Sequence, residues 1–243
     1  MTNDFTNVYE DPHRAASYDR LEFPGTYYLA FRDLPAVFSS HIRGRRALDF
    51  GCGTGRSTRF LKHLGFTADG IDVSEAMLAR ARQRDAEGIY LLVPDDGLDA
   101  LPPASYDLIF SAFTFDNIPT LGKKTALFRS LKRLLALQGR IVNLVSSPEI
   151  YVHEWVSFST RDFPQNRDAV SGDRVSIIML DVDDRRPVED IVCSHDDYLR
   201  VYDAAGLAAV EVIRPLGRAS EPYPWVSEST VAPWTVYVLR PQA

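Results

Sequence analysis

Three glycines at alternate positions, Gly51, Gly53 and Gly55, constrain this chain more than any other feature of its sequence. They follow a short apolar run, 47–50, and precede a segment, 56–64, with a helical pattern. A glycine-rich turn between a strand and a helix lets the backbone pass close to a ligand, with the amides of the helix N-terminus directed at it. The spacing therefore predicts an α/β fold with a ligand site at the end of its first core strand.

The rest of the chain alternates strand and helix patterns, which is typical of a mostly parallel sheet covered by helices. The elements predicted after the first strand and helix are strand 66–71, helix 74–82, strand 89–93, strand 107–111, a helix through 127–135 that stops at Gly139, strand 141–145, helix 196–205, strand 208–213 and strand 234–239. The predicted architecture is a doubly wound, mostly parallel seven-strand sheet.

Two segments do not follow this alternation of strand and helix patterns. Residues 1–44 are rich in aromatic side chains and contain a break at Pro24-Gly25, which predicts an N-terminal helical cap of short helices. Residues 175–180 and 188–192 flank a charged stretch and predict an antiparallel hairpin or a pair of added strands within a β insertion at about 148–194. The expected organisation is a cap over 1–44 and a main domain over 45–243, with the insertion as a candidate homodimer contact.

Composition excludes several classes of protein. Hydrophobic residues make up 45% and charged residues 25% of the 243, as in folded globular proteins. The net charge of −6 provides no field that attracts nucleic acid or an anionic membrane. No apolar run approaches the ~18 residues of a membrane span, and the first residues lack the pattern of a secretory signal, so a cytoplasmic location is expected. Cys52 and Cys193 lie far apart and are expected to be reduced thiols.

Two nucleotide-binding fingerprints fail at the glycine turn. The dinucleotide pattern Gly-x-Gly-x-x-Gly would need a third glycine at Arg56, and no Gly-Lys-Ser/Thr of a phosphate-binding Walker loop follows. The run 48–55, LDFGCGTG, and the run 70–74, GIDVS, instead resemble the first two motifs of class I S-adenosylmethionine-dependent methyltransferases, in their small-molecule branch. The resemblance continues through 94–97, 101–102 and 106–109 and is looser over 196–207.

The resemblance implies S-adenosylmethionine as cofactor and a role for particular residues. Asp72 would accept hydrogen bonds from both ribose hydroxyls, and Val73 and Met77 would flank the adenine, although Met77 is equally well explained as a core residue. Asp96, or Asp95 beside it, would accept from the adenine amino group. The remaining implied cofactor contacts are Tyr18, Asp49, Gly51, Gly53, Gly55, Ser111 and Phe113.

The residues after the fourth strand bear on the methyl acceptor. They read Ser-Ala-Phe-Thr at 111–114, not the Asn/Asp-Pro-Pro-aromatic sequence of enzymes that methylate nucleic acids or glutamine. Ser111 and Asn143 stand where catechol-type enzymes carry metal-binding acids, and the pair Asp116-Asn117 is explained as a helix cap, so no metal is predicted. A small-molecule acceptor methylated on oxygen or nitrogen is expected.

Proton removal from the acceptor would fall to His195, beside Asp196 and Asp197. The alternatives are that His195 only caps its helix and that Tyr28, or no residue at all, assists the transfer. Acceptor specificity is expected in the cap and the insertion, where an apolar cage or plain packing explains the aromatic residues Tyr18, Tyr27, Tyr28, Trp155 and Phe158. Two other functions remain open, which are a cofactor-binding regulatory module without transfer activity and a protein methyltransferase.

Overall fold

The structure is a computed structural model that describes residues 24–94 and 97–242. Its α-helices are α1 (Thr26–Arg32), α2 (Leu34–His41), α3 (Arg56–His63), α4 (Glu75–Arg84), α5 (Leu121–Leu134) and α6 (His195–Ala204). Its strands are β1 (Arg46–Phe50), β2 (Thr67–Asp72), β3 (Ile89–Leu92), β4 (Tyr106–Ala112), β5 (Leu135–Ser146), β6 (Phe158–Ser159), β7 (Arg174–Met179), β8 (Val188–Ile191), β9 (Leu207–Ile213) and β10 (Trp234–Pro241). Short 3₁₀ helices cover Gly97–Ala100, Thr114–Asn117, Pro148–Tyr151 and Pro164–Asp168.

Seven strands form the main sheet in the order β3-β2-β1-β4-β5-β10-β9. Strand β10 runs antiparallel to both of its neighbours, β5 and β9, and the other pairs are parallel. The strand order reverses beside β1, which pairs with β2 on one side and β4 on the other. In open sheets of this kind, ligands bind in the crevice at the carboxyl ends of the strands where the order reverses. The predicted seven-strand architecture is confirmed.

Both faces of the sheet are covered, because successive side chains of a strand point to opposite faces. In β4, Leu108 and Phe110 belong to one hydrophobic cluster, and Ile109 between them belongs to the other. The first cluster contains Phe31 of α1 and Phe38 of α2, and the Phe38 ring lies edge-on to Phe110 at 5.6 Å. The described part of the predicted cap is therefore packed into the core of the sheet.

The β insertion forms a separate three-strand sheet in the order β6-β7-β8. The predicted hairpin is present, since β7 and β8 pair antiparallel with Val175 opposite Asp190. Strand β6 pairs with the other edge of β7, with Phe158 opposite Met179. Residues Val175 and Met179 are buried in the same cluster as α1, so this small sheet packs against the first helix.

Two predictions about the segment between β4 and β5 were wrong. Gly139 does not end a helix: α5 ends at Leu134, and Gly139 lies inside β5, where a Cβ atom would come within 2.7 Å of the Tyr106 carbonyl oxygen. Asp116 does not cap α5, because Thr120 accepts the cap hydrogen bond from the Lys123 amide. Asp116 is 3% exposed and accepts a 2.9 Å hydrogen bond from the Ser146 amide.

Candidate functional site

A cleft of about 380 Å³ opens at the carboxyl ends of β1, β2 and β4, where the strand order reverses. One wall is the glycine turn after β1, a second is the end of β2, and a third is the segment from the end of β4 into α5. Phe31 of α1 also lines the cleft. The cleft volume lies within the usual range for small-molecule sites.

The glycine turn is held by the strand beside it and leaves open space above its middle residue. The amides of Gly51 and Cys52 both donate 2.9 Å hydrogen bonds to the Ile71 carbonyl oxygen. Gly53 has a φ of +53°, and among the described residues a Cβ atom there would have only Met77 Cε within 4 Å, at 3.1 Å. The open side of Gly53 is a cradle that a ligand can approach and that a side chain would fill.

Asp49 lies beneath this turn. It is completely buried, and its Oδ2 accepts 2.6 Å hydrogen bonds from the hydroxyls of Ser57 and Thr58 in the first turn of α3. Its Oδ1 has no hydrogen-bond partner within the described ranges. Burial raises the pKa of Asp49 to about 6, against the opposing effect of the two hydroxyls. Asp49 thus ties β1 to α3 and keeps an acceptor oxygen free below the turn.

Asp72 ends β2 and lines the cleft. Its Oδ2 accepts a 2.8 Å hydrogen bond from the Gly53 amide, and its Oδ1 accepts a 2.9 Å bond from the Ser74 amide. Desolvation raises the pKa of Asp72, and these backbone amides oppose the shift. Each carboxylate oxygen is fixed by one backbone donor and retains capacity for a second donor.

Two apolar side chains continue the same wall. Val73 is 52% exposed at the mouth of the cleft, and Met77 is 4% exposed and lines its interior. The Ser74 hydroxyl caps α4 by accepting from the Met77 amide, as its sequence predicts, and this cap positions the Met77 side chain. Met77 therefore fits both interpretations of it, since it is buried like a core residue and also lines the cleft.

The opposite wall was only partly predicted. Phe113 lines the cleft, as predicted, and Thr114 beside it donates a 2.9 Å hydrogen bond to the Phe50 carbonyl oxygen. Sequence reasoning missed Thr114, the residues 117–119 and Lys123 and Leu127 at the start of α5. Their position directly after a buried parallel strand was the available signal, since that is where such sheets bind ligands.

A second, smaller cavity of about 40 Å³ adjoins the cleft, and Phe113 and Asn117 line both. Its other walls come from α1, β5, β10 and the β insertion. Aromatic side chains line it, and so do two carboxylates; these residues are Tyr27, Tyr151, Phe158, Trp234, Asp116 and Asp190. Of the aromatic residues predicted to form either a cage or plain packing, Tyr27 and Phe158 line this cavity.

Asp116 and Asp190 line this second cavity, and the charge of Lys124 interacts with both acids. Burial raises the pKa of Asp116 to about 6 and that of Asp190 to about 7, and the negative charge of Asp116 adds to the shift of Asp190. Lys124 is 1% exposed and donates a hydrogen bond to the Phe115 carbonyl oxygen. Desolvation lowers the pKa of Lys124. Sequence reasoning missed Lys124 and Asp190.

The structure brings some of the predicted site residues into the cleft and leaves others outside it. Lining the cleft are Gly51, Gly53, Asp72, Val73, Met77 and Phe113. Asp49, Gly55 and Ser111 lie behind its walls, and the Ser111 hydroxyl is buried without a partner in the described residues. Tyr18, Asp95 and Asp96 lie outside the residues that the structure describes.

Neither predicted catalytic residue lines either cavity. His195 begins α6, and its Nδ1 lies 2.8 Å from the Tyr237 hydroxyl, with the two rings stacked at 5.6 Å. Tyr28 packs against Tyr223 at 5.2 Å, and Trp155 is buried with its indole nitrogen donating to the Ile150 carbonyl oxygen. The geometry therefore does not place His195 or Tyr28 beside a ligand in the cleft.

Over residues 24–94 and 97–242, no three His, Cys, Asp or Glu side chains are grouped as a metal-binding set. In the same ranges, no helix is both long enough and apolar enough to span a membrane.

The sheet order, its antiparallel β10, and the pairing of a glycine cradle after β1 with an acid after β2 define the Rossmann-like fold of class I methyltransferases. Comparison with known families agrees, since residues 47–139 match a methyltransferase domain. The chain thus has the fold of these methyltransferases, and its residues 47–139 carry a methyltransferase domain. The predicted methyltransferase family is confirmed for this segment.

Curated relatives match this region. The chain is 28% identical over 130 residues to the ubiquinone biosynthesis O-methyltransferase of Burkholderia cenocepacia, a match that covers 48% of this chain and 56% of that protein. It is 32% identical over 119 residues to an uncharacterized methyltransferase of Bacillus licheniformis, covering 48% and 55% of the two chains. The chain thus spans about half the length of the curated relatives it matches.

Solved structures are similar over nearly the whole chain. The CcbJ methyltransferase from Streptomyces caelestis superposes with a TM-score of 0.64 at 20% identity, covering 94% of this chain and 96% of that one. An S-adenosylmethionine-dependent methyltransferase from Mesorhizobium loti gives a TM-score of 0.61 at 21% identity, covering 87% and 97%. At these identities the likeness shows the fold.

Proposed function

We propose that this chain transfers a methyl group from S-adenosylmethionine to an oxygen or nitrogen atom of a small molecule. The observation that carries the proposal is the Asp72 carboxylate, which two backbone amides fix at the edge of the Gly53 cradle and which retains capacity for further donors. A pair of neighbouring hydroxyls, such as those of a ribose, supplies two donors at the spacing of a carboxylate.

The residues of the cleft suit this cofactor. Asp72 would hold the ribose, and Val73 and Met77 would flank the adenine with apolar surface. The open side of Gly53 would let the backbone approach the amino-acid arm, and Asp49 would support the turn from below. When bound, S-adenosylmethionine supplies a methyl group already attached to a good leaving group, a sulfonium.

The chain's own contribution is to align the acceptor and to exclude water. Phe113 lies between the cleft and the second cavity, and its ring contacts Tyr27 at 5.8 Å and Trp234 at 4.8 Å. We infer that this aromatic wall excludes water from the junction of the two cavities. Alignment in a dry site supplies much of the acceleration in a displacement reaction.

A small-molecule acceptor is favoured by the way the second cavity is closed. The β insertion, α1 and the first residue of β10 surround it, so that only a narrow reacting group fits. The ubiquinone biosynthesis relatives act on oxygen by their name, but their match covers about half of this chain, so oxygen and nitrogen both stay within the proposal. The cap and the insertion form the acceptor side in this proposal, as the sequence predicts.

Two measurements test the proposal. Calorimetry with S-adenosylhomocysteine measures cofactor-site binding, for which we expect saturable one-site behaviour. An assay of S-adenosylhomocysteine release over a panel of phenols, amines and carboxylic acids then identifies the acceptor class. Absence of S-adenosylhomocysteine binding would overturn the proposal, whereas binding without turnover on any small molecule or peptide would favour the regulatory module. Turnover on peptides alone would favour a protein methyltransferase.

A further inference from the structure

The second cavity contains buried charge that the proposed function has not used. Asp116 stands in the 3₁₀ helix after β4, and Asp190 stands in β8 of the insertion, 74 positions later. Both line the same cavity of about 40 Å³, which shares Phe113 and Asn117 with the cofactor cleft. Two carboxylates therefore stand next to the place where methyl transfer is proposed.

The two carboxylates differ in how fully they are bonded. Asp116 Oδ2 accepts from the Ser146 amide at 2.9 Å, and its Oδ1 lies 3.5 Å from the Tyr198 hydroxyl. Asp190 Oδ2 accepts from the Tyr151 hydroxyl at 3.1 Å. Its other oxygen, Oδ1, accepts no hydrogen bond from the described residues. Asp190 is half-buried and borders the cavity, so its free oxygen is available to a ligand there.

The charge around the cavity is not balanced when both acids are ionised. Lys124 is the buried cation that interacts with both Asp116 and Asp190. The other titratable groups that interact with Asp116 are Tyr151, Tyr198, Tyr202, Tyr237 and Cys193. Burial raises the pKa of each, to about 12 for Cys193, so all five are neutral at pH 7. Two carboxylates thus face one lysine, and one further positive charge would neutralise the cluster.

The remaining walls are aromatic faces. The Trp234 ring lies 5.6 Å from Tyr27 and 5.7 Å from Phe158, and all three line the cavity. Aromatic faces attract an ammonium group, and the attraction is larger in a desolvated site. A cavity that combines aromatic walls with an excess of carboxylate suits a cation better than a neutral hydroxyl group.

We propose that the second cavity is an ammonium subsite, in which Asp190 and Asp116 hold the nitrogen of an amine acceptor, so that the reaction of this chain is N-methylation of a small amine. The proposal rests on the proposed function. The volume admits an amino group with a small substituent, and the rest of the acceptor would extend past Phe113 into the cleft.

Asp190 would also prepare the nitrogen for reaction. An ammonium has no free lone pair, so one N–H proton must leave before a bond to carbon can form. That proton would pass to Asp190 Oδ1. The freed nitrogen pair then forms the N–CH₃ bond while the S–CH₃ bond of the sulfonium breaks with its electron pair left on sulfur. Burial, which brings the pKa of Asp190 to about 7, suits this carboxylate to accept and later release a proton.

The test measures binding of a minimal ammonium probe without relying on turnover. Thermal unfolding of the chain with saturating S-adenosylhomocysteine is followed at pH 8 in methylammonium chloride and in potassium chloride of equal ionic strength. We expect methylammonium to raise the unfolding temperature of the wild type by roughly 1 °C or more at a concentration near its Kd. Asp190→Asn should abolish this rise.

A matched control is available on the same strand. Glu189 is adjacent to Asp190, and its side chain forms a 3.8 Å ion pair with Arg174, so Glu189→Gln removes an equal charge away from the cavity. This variant should keep the full methylammonium effect. Unchanged S-adenosylhomocysteine affinity in Asp190→Asn would show that this variant is folded.

A pH series on the wild type tests the proposal even if Asp190→Asn does not fold. Because burial raises the pKa of both acids, they are largely protonated at pH 5, and the methylammonium effect seen at pH 8 should disappear. Equal effects of methylammonium and potassium at pH 8, or an effect that survives at pH 5, would overturn the ammonium subsite. Turnover confined to hydroxyl acceptors, such as benzyl alcohol but not benzylamine, would also overturn it. In each case S-adenosylhomocysteine binding would leave the proposed function standing.

Discussion

The hydroxyl of Thr26 donates a 2.6 Å hydrogen bond to Glu228 Oε1 across 202 positions of the sequence. Glu228 is completely buried and also accepts from the amides of Val156 and Val226, each at 2.8 Å. The Thr26 hydroxyl in turn accepts from the Ser157 amide at 3.0 Å. One buried carboxylate therefore joins the first helix, the β insertion and the loop before β10, and the first two of these segments line the second cavity.

Thr26→Val should destabilise the fold. The substitution keeps the size of the side chain but removes a donor to Glu228 and an acceptor for the Ser157 amide, leaving buried polar groups unsatisfied at a cost of about 1 to 3 kcal/mol. Urea unfolding measures the change. The control is Thr230→Val, at an exposed hydroxyl that bonds to the Ser227 carbonyl oxygen, where a change within about 0.5 kcal/mol is expected. Equal stability of the two variants would contradict this role for Thr26.

Asp72→Ala should weaken binding of S-adenosylhomocysteine. The loss of a charged acceptor facing two ligand hydroxyls corresponds to about 1 to 3 kcal/mol, or roughly a five- to 150-fold rise in Kd measured by calorimetry. Glu75→Gln is the control, since Glu75 is exposed nearby in the first turn of α4 and pairs with Arg82. Its Kd should match the wild type. Wild-type affinity in Asp72→Ala would remove Asp72 from the cofactor site.

Asp49→Asn should flatten the pH dependence of stability. Burial raises the pKa of Asp49 to about 6 in the folded state, so this group's contribution is most favourable below its unfolded pKa near 4 and is lost as the pH rises through about 6. The loss amounts to about 3 kcal/mol. The stability of the asparagine variant relative to the wild type should therefore increase by that amount from pH 4 to pH 7.

Urea unfolding across this pH range measures that difference, because asparagine does not titrate and the other groups cancel in the comparison. Asp99→Asn, at a side chain that is 83% exposed, is the matched control and should give a pH-independent difference. If the difference in unfolding free energy between Asp49→Asn and the wild type also does not change with pH, Asp49 is ionised in the folded state with little loss of stability.

His195→Ala should retain most of the kcat with the acceptor that the panel identifies. A general base must lie within hydrogen-bond reach of the proton it removes, and His195 lines neither cavity while its Nδ1 contacts the Tyr237 hydroxyl. The sequence alone predicts a loss of about a hundredfold or more, as for removal of a base. Steady-state kinetics from pH 6 to 9 decide between the two, and a hundredfold loss would restore His195 as the base.

The parts of the site that were predictable are local. The turn with Gly53, the acid Asp72 nineteen positions later and the Ser74 cap of α4 each depend on residues close in sequence, where strand periodicity, glycine conformation and capping act. The two wrong predictions, for Asp116 and Gly139, also have local causes. Thr120 provides the cap that Asp116 does not, and the chain enters β5 directly after Leu134, which leaves Gly139 in a strand.

The sequence by itself determined the alternation of strands and helices, and with it the glycine turn and acid that meet at the cofactor cleft. Only the tertiary structure decided what surrounds the second cavity. It brings Asp190 of the insertion beside Asp116, and it turns His195 toward Tyr237 and away from the cleft. The physical reason is that periodicity and turn chemistry act between near neighbours, whereas the surroundings of a buried charge depend on segments that meet only when the core closes.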